Sequence, residues 1–123
     1  MVRLGYKSAL AIVSFAAVAA GLLLHTRPVD AQQAREVSIT GNDFAFSPSR
    51  IEVQRNDLVK VTFTASDMAH SFTIDSYRIA KRAAAGQSVT FEFRADQPGE
   101  HAYTCNLTHD DRCRSMKGTL VVR

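Results

Sequence analysis

The chain has 123 residues, with 15 Lys and Arg, 12 Asp and Glu, and a formal net charge of +3. Three of the basic residues (Arg3, Lys7 and Arg27) and one acidic residue (Asp30) precede residue 32, which leaves 12 basic and 11 acidic residues in the rest of the chain. This balance gives no electrostatic argument for nucleic-acid binding. The remaining segment of roughly 92 residues has the length of one domain.

The first 31 residues have the layout of a secretory signal peptide. Arg3 and Lys7 give a positive start, residues 9–24 form an apolar run, and small residues end the segment at Ala31. The run is shorter than the roughly 20 residues that span a bilayer. We expect cleavage near Ala31 and export to the periplasm or beyond, with an uncleaved membrane anchor as the alternative. Compartments outside the cytoplasm permit disulfides.

From Arg35 onward the hydrophobic pattern has a period of two, which is typical of half-buried antiparallel strands. Seven short segments show it, at residues 36–40, 50–54, 58–65, 70–75, 88–94, 101–105 and 118–122. Short strands separated by polar turns predict a β-sandwich or a small barrel. Residues 76–87 lack the alternation, and we expect a loop there with one helical turn.

Sulfur and imidazole side chains cluster near the carboxyl end of the chain. Cys105 is followed by His109, Cys113 and Met116 at offsets of four, eight and eleven residues. Thr108, with an acidic residue three positions later, has the pattern of a weak capping box. A helical turn that begins at Thr108 would place His109, Cys113 and Met116 on one face. Cys105 would end the preceding strand with its side chain directed inward.

A second imidazole is expected to reach this cluster from another strand. His70 begins the segment 70–75 on the same parity as Phe72 and Ile74, which we predict to face the core. Thiolate, imidazole and thioether ligands together favour copper, and less often zinc. Magnesium and calcium prefer oxygen ligands. The candidate metal ligands are therefore His70, Cys105, His109, Cys113 and Met116.

Each candidate ligand also has a structural interpretation. Cys105 and Cys113 are the two cysteines of the chain, and their spacing allows a disulfide. His70 could be a buried core histidine, His109 a solvated turn residue beside two aspartates, and Met116 a core residue. The sequence shows no Ser-His-Asp arrangement that would indicate an enzyme.

Several motifs resemble the cupredoxin family. The segment "FAFSPSRIEVQRNDLVKVTF" from Phe44 is similar to the opening strands of that family, and "HSF", "PGEHAYTC" and "KGTLVV" are similar to its metal-binding half. The resemblance implies a Greek-key β-sandwich of about seven to eight strands over residues 32–123. It also implies copper at one end, held by a histidine from an early strand and by cysteine, histidine and methionine from the last interstrand loop.

The length of the ligand loop is similar to that of the binuclear copper domain of cytochrome c oxidase subunit II. That loop has the order Cys-x3-Cys-x3-His-x2-Met, whereas this chain has Cys-x3-His-x3-Cys-x2-Met from Cys105 to Met116. The two middle ligands are exchanged. A single copper held by His70, Cys105, Met116 and one or both of His109 and Cys113 is our expectation, and a two-copper centre is the alternative.

The function expected from these features is that of an exported copper protein that carries single electrons, and not that of an enzyme. Its partner would be a redox protein that docks at the loop end of the sandwich. Delivery or storage of copper(I), with a copper acceptor as partner, is a second hypothesis. A metal-free binding module tied by a disulfide is a third. We expect a monomer without stable membrane insertion after signal cleavage.

Overall fold

A computed structural model describes residues 33–123. Their strands form two β-sheets, so the predicted all-β fold is confirmed. The predicted leader and its cleavage site lie outside the described residues. Within residues 33–123 no helix is long and apolar enough to cross a membrane. The described part of the chain has nine strands: β1 (Arg35–Asn42), β2 (Ala45–Ser47), β3 (Arg50–Val53), β4 (Leu58–Ala65), β5 (His70–Ile74), β6 (Ile79–Ala83), β7 (Ser88–Arg94), β8 (Gly99–Thr104) and β9 (Lys117–Val122).

One sheet has the strand order β2–β1–β4–β7, and the other has the order β3–β9–β8–β5–β6. The chain changes sheets five times: between β2 and β3, β3 and β4, β4 and β5, β6 and β7, and β7 and β8. Strands β1 and β4 are parallel, as are β3 and β9, and the other pairs are antiparallel. The prediction of antiparallel pairing is therefore wrong for two pairs. Alternation shows which face of a strand is buried, and it carries no information about the direction of the neighbouring strand.

Two of the strands do not follow from the hydrophobic pattern. β2 has three residues, too few to show a period. β6 lies in the segment 76–87, for which the sequence predicts a loop, and it pairs with β5 from His70↔Ala83 to Ile74↔Ile79. A 3-10 turn at Asp75–Tyr77 precedes it. Alanine and charged residues favour strands weakly, but pairing with a fully buried neighbour overrides that preference.

The core lies between the sheets and is rich in aromatic side chains. In β4 the inward residues Val59, Val61 and Phe63 are at most 2% exposed, in agreement with the predicted alternation. Tyr103 of β8 is fully buried, and its hydroxyl donates to the carbonyl of Pro48 at 2.8 Å. Its ring fills the space where a Cβ of Gly118, its partner in β9, would lie. The packed core holds the ends of β5 and β8 together, and the candidate ligands begin there.

Candidate metal centre

His70 is the first residue of β5, and its side chain is fully buried. Gly41 of β1 makes room for it, because a Cβ at residue 41 would lie 3.2 Å from the Cβ, Cγ and Cδ2 atoms of His70. The ring of Phe44 packs edge-on against the imidazole, with 5.7 Å between the ring centroids. The predicted inward direction of His70 is therefore what the structure shows.

The two ring nitrogens of His70 have different surroundings. Nε2 lies 2.7 Å from Oδ1 of Asp67, whereas Nδ1 is buried without a hydrogen-bond partner among the described residues. Asp67 also accepts hydrogen bonds from the backbone N–H groups of Asp43 and Met68, each at 2.8 Å. Buried polar atoms are nearly always satisfied, so an exception suggests a missing ligand.

The hydrogen bonds at Asp67 lower the pKa of its carboxyl group to about 2. The bond from the backbone of Asp43 contributes most, and partial burial, which raises the pKa, opposes it. The bonds from His70 and Met68 lower the pKa further. Asp67 is therefore ionised at neutral pH, and an ionised carboxylate can only accept hydrogen bonds.

Cys105 and Cys113 form a disulfide, with their Cα atoms 5.2 Å apart. The sequence left this alternative open beside metal binding. Both sulfurs lie in the interior, since Cys105 is 3% exposed and Cys113 is fully buried. The N–H of Ser71, the residue after His70, donates to Sγ of Cys105 at 3.4 Å. The start of β5 and the first cysteine are therefore in contact, as the metal hypothesis requires.

The ligand loop contains a 3-10 turn at Asp111–Ser115, with Asp110 as its N-cap. The carboxylate of Asp110 accepts a hydrogen bond from the backbone N–H of Arg112 at 2.9 Å. The prediction that a helix begins at Thr108 is therefore wrong, because Asp110 caps the turn instead. His109 precedes the turn and is exposed, so it does not share a buried face with Cys113.

Met116 follows the turn and is 1% exposed. Its backbone N–H donates to the carbonyl of Cys113 at 3.1 Å. On the outer side of the loop, the guanidinium of Arg112 lies 4.1 Å from the ring centroid of Phe44 and is held by the carboxylate of Asp110 at 2.8 Å. Arg112 and Phe44 thus connect the ligand loop to the turn that covers His70.

Four of the five predicted ligands are buried at this end of the sandwich, and His109 is not among them. Among residues 33–123 no three His, Cys, Asp or Glu side chains are grouped so that they could hold a metal ion. Because Cys105 and Cys113 are joined, the described part of the chain has no free thiol. The chemistry of the donors nevertheless fits copper, since Nδ1 of His70 is unpaired, reduction would free two buried thiols, and the thioether of Met116 is buried as well.

The residues that surround His70 were not identified from the sequence. Asp67 and Phe44 contact the imidazole. Gly41 leaves the room that the ring occupies. The backbone N–H of Ser71 donates to the sulfur of Cys105. Asp67 had a detectable signal, because a carboxylate three residues before an inward histidine is placed to orient it. The contacts of Gly41 and Phe44 depend on the pairing of β1 with β4 and could not be inferred from spacing.

Comparison with known proteins gives the same fold. The family described as "Cupredoxin-like domain" matches residues 12–122. The chain belongs to this family. Cytochrome c oxidase subunit 2 of Thermus thermophilus is 28% identical over 80 residues, which cover 65% of this chain and 59% of the relative. For the same subunit from a named strain of that species the covered share is 48%, so the chain spans about half the length of these relatives.

Solved structures share the cupredoxin-like fold at low sequence identity. The periplasmic domain of cytochrome oxidase subunit II (CoxB) of Bradyrhizobium japonicum has a TM-score of 0.65 at 16% identity, covering 74% of this chain and 86% of that one. Auracyanin A, a "blue" copper protein of Chloroflexus aurantiacus, has a TM-score of 0.61 at 16% identity, covering 74% and 100%. A mixed disulfide between thioredoxin-like TlpA and CoxB gives 0.62 at 18% identity, covering 78% and 87%.

Proposed function

We propose that this protein binds copper after reduction of its disulfide and carries single electrons outside the cytoplasm. The observation that supports this most directly is the buried Nδ1 atom of His70, which has no partner among the described residues. The next residue, Ser71, contacts the sulfur of Cys105. Membership of the cupredoxin-like family supports the choice of copper, as does the similarity to auracyanin A, a "blue" copper protein.

The residues that would hold the metal are His70, Cys105, Cys113 and Met116. Bound copper would supply a one-electron redox couple, and this chain would keep the donors in one arrangement. All four donors are buried, His70 at the start of β5 and the other three in or beside the loop between β8 and β9. We expect this packing to limit their movement when the charge of the site changes. The surrounding apolar side chains exclude water, and this exclusion would tune the redox potential of a bound copper ion. These properties suit electron carriage without catalysis.

Copper binding through thiolates requires that the disulfide be reduced first. The S–S bond then breaks and takes up two electrons and two protons to give two thiols, while a dithiol reductant is oxidised to its own disulfide. The thiols release their protons when they bind a metal. CoxB has been solved as a mixed disulfide with a thioredoxin-like protein. We infer that a thioredoxin-like dithiol protein reduces the Cys105–Cys113 disulfide in this chain.

The proposal places the protein in the periplasm or outside the cell, because residues 1–31 have the pattern of a signal peptide and a neighbouring structure is a periplasmic domain. A redox protein would dock at the end of the sandwich that carries Phe44 and Arg112. The ring of Phe44 packs against the imidazole, with 5.7 Å between the ring centroids, so this end would offer a short path for electron transfer to His70.

Copper loading of the reduced protein tests the proposal. We expect about one copper per chain and, in the copper(II) form, an intense thiolate-to-copper visible band that disappears and returns over reversible electrochemical cycles. His70→Gln should lose the copper, and His109→Gln, a matched control at an exposed position, should keep it. Cys105→Ser should abolish the colour, and Cys113→Ser should shift it. A reduced protein that retains no copper after desalting would contradict the proposal. The metal-free binding module tied by a disulfide would then be the remaining hypothesis.

Delivery of copper(I) is the second candidate function, because three of the four donors are sulfur atoms. Sulfur ligands favour copper(I). A delivery protein should bind copper(I) without colour and pass it quickly to a chelator or an acceptor. A slow transfer together with a reversible electrode response would support the electron carrier instead.

A further inference from the structure

The carboxylate of Asp67 joins the turn between β1 and β2 to the start of β5 around His70. Its Oδ2 accepts the backbone N–H of Asp43, in the turn between β1 and β2, at 2.8 Å. Its Oδ1 accepts the N–H of Met68 at 2.8 Å and faces Nε2 of His70 at 2.7 Å. Because both oxygens have partners, the carboxylate cannot rotate without breaking at least one of these bonds.

This arrangement determines which nitrogen of His70 carries the proton. Both oxygens of Asp67 already accept backbone N–H groups, so the carboxylate faces Nε2 as an acceptor and Nε2 must be the donor. In the neutral imidazole the other nitrogen, Nδ1, then has a bare lone pair. That atom is fully buried and has no partner within the described residues. The alternative tautomer would place the lone pair of Nε2 against the carboxylate and leave a buried N–H of Nδ1 without an acceptor, and both are unfavourable.

We propose that Asp67 is a positioning residue, which holds His70 in the Nε2–H tautomer so that Nδ1 is ready to bind a metal. The identity of the metal rests on the proposed function, but the tautomer does not. Partners that hold the second nitrogen of a metal-binding histidine raise metal affinity by about 10- to 100-fold in other proteins.

Asp67 also determines how the aromatic cover of His70 is held. Asp43 and Phe44 both have positive φ angles, of 49° and 56°. A positive φ is costly for a bulky residue such as phenylalanine, so the turn needs support from its surroundings. The bond from the N–H of Asp43 to Asp67 provides it and keeps the Phe44 ring against the imidazole. One carboxylate therefore positions both the ligand and the side chain that shields it.

The chain offers two variants of Asp67 and a matched control at Asp43. Asp67→Ala removes the acceptor of the Nε2 proton. Asp67→Asn keeps the shape of the side chain, but an amide has one acceptor oxygen, whereas the three donors at Asp67 use both carboxylate oxygens. Asp43→Asn removes the same negative charge at the same end of the protein, keeps the backbone N–H, and tolerates a positive φ. Only the Asp67 variants should therefore alter His70.

The decisive measurement is the tautomer of His70 in the metal-free protein, observed by 15N-correlated NMR of the imidazole at neutral pH. We expect the Nε2–H form alone in the wild type and in Asp43→Asn. A second population with the proton on Nδ1 should appear in Asp67→Ala and Asp67→Asn. If the alanine variant does not fold, the asparagine variant carries the test. Persistence of the Nε2–H form alone in a folded Asp67 variant would overturn the proposal.

Copper(I) affinity of the reduced protein gives a second readout. Competition with a chromophoric copper(I) chelator should show binding weaker by about 10- to 100-fold in the Asp67 variants and unchanged in Asp43→Asn. Equal loss in the Asp43 variant would point to charge alone and overturn the positioning role. If the wild type bound no copper while its tautomer behaved as expected, the proposed function would fail and the role of Asp67 in orienting His70 would stand.

Discussion

Reduction of the Cys105–Cys113 disulfide is expected to destabilise the metal-free domain by a predictable amount. The bond closes a loop with a sequence separation of 8 residues. The chain-entropy relation for a loop of this size gives about 2.5 kcal/mol at 25 °C. For a domain of this length, 1 kcal/mol corresponds to a shift of roughly 4–8 °C in the melting temperature, so reduction should lower it by about 10–20 °C.

Thermal and urea unfolding with and without a phosphine reductant measure this effect. The matched control is the double variant Cys105→Ser/Cys113→Ser, whose stability should equal that of the reduced wild type and should not respond to the reductant. Adding copper(I) to the reduced wild type should restore about 2.7 kcal/mol at a free concentration 100-fold above the dissociation constant. The double variant should gain much less. Identical unfolding curves for the oxidised and reduced wild type would refute the reasoning.

Three further predictions concern packing and ionisation. Gly118→Ala should destabilise the fold by about 3 kcal/mol in urea unfolding, because its methyl group would overlap the ring of Tyr103; wild-type stability would show that the ring lies elsewhere. Burial raises the pKa of Tyr103 from 10.0 to about 12. The contribution of this shift to stability should therefore be constant below pH 10 and be lost as the pH rises to about 12, because the unfolded chain releases the phenolic proton first. Tyr103→Phe should remove that decline, and an unchanged alkaline profile would contradict it. Gly41→Ala should weaken copper(I) binding by about tenfold in a chelator competition, since its Cβ crowds His70; unchanged affinity would show that the ring has room to move.

Much of the fold could be predicted from the period of the hydrophobic residues. The alternation in β4 and β7 correctly separates inward from outward residues, because it reflects burial directly. It could not give the parallel pairing of β1 with β4, which is decided by how the chain crosses between the sheets. Nor could it give β6, whose strand conformation comes from pairing with β5.

The burial of the candidate donors was partly predictable, but their chemical state was not. Parity placed His70 and Cys105 in the interior, where the structure has them. Cys113 and Met116 are buried as well, although the helix face on which their prediction rested does not form. Metal binding by these residues stays a prediction. The same two cysteines serve equally for a disulfide or for a metal, so residue types alone could not separate these outcomes. The prediction for His109 assumed that Thr108 caps a helical turn, whereas Asp110 is the cap. Which of the two residues caps the turn depends on side-chain geometry that the sequence does not give.

The surroundings of the site depend on contacts between distant parts of the chain. Asp67 meets Asp43 across 24 residues, and Ser71 meets Cys105 across 34. Such pairs follow from the sheet topology, which a single sequence does not specify. They nevertheless set the orientation of His70.

The most direct test of the account is copper analysis of the protein isolated from its native compartment, combined with optical and paramagnetic-resonance spectra. The account predicts copper bound through sulfur, with free Cys105 and Cys113 thiols recovered once the metal is removed under anaerobic conditions. A native protein that contains no copper, has both cysteines in the disulfide and takes up no copper after reduction would contradict it.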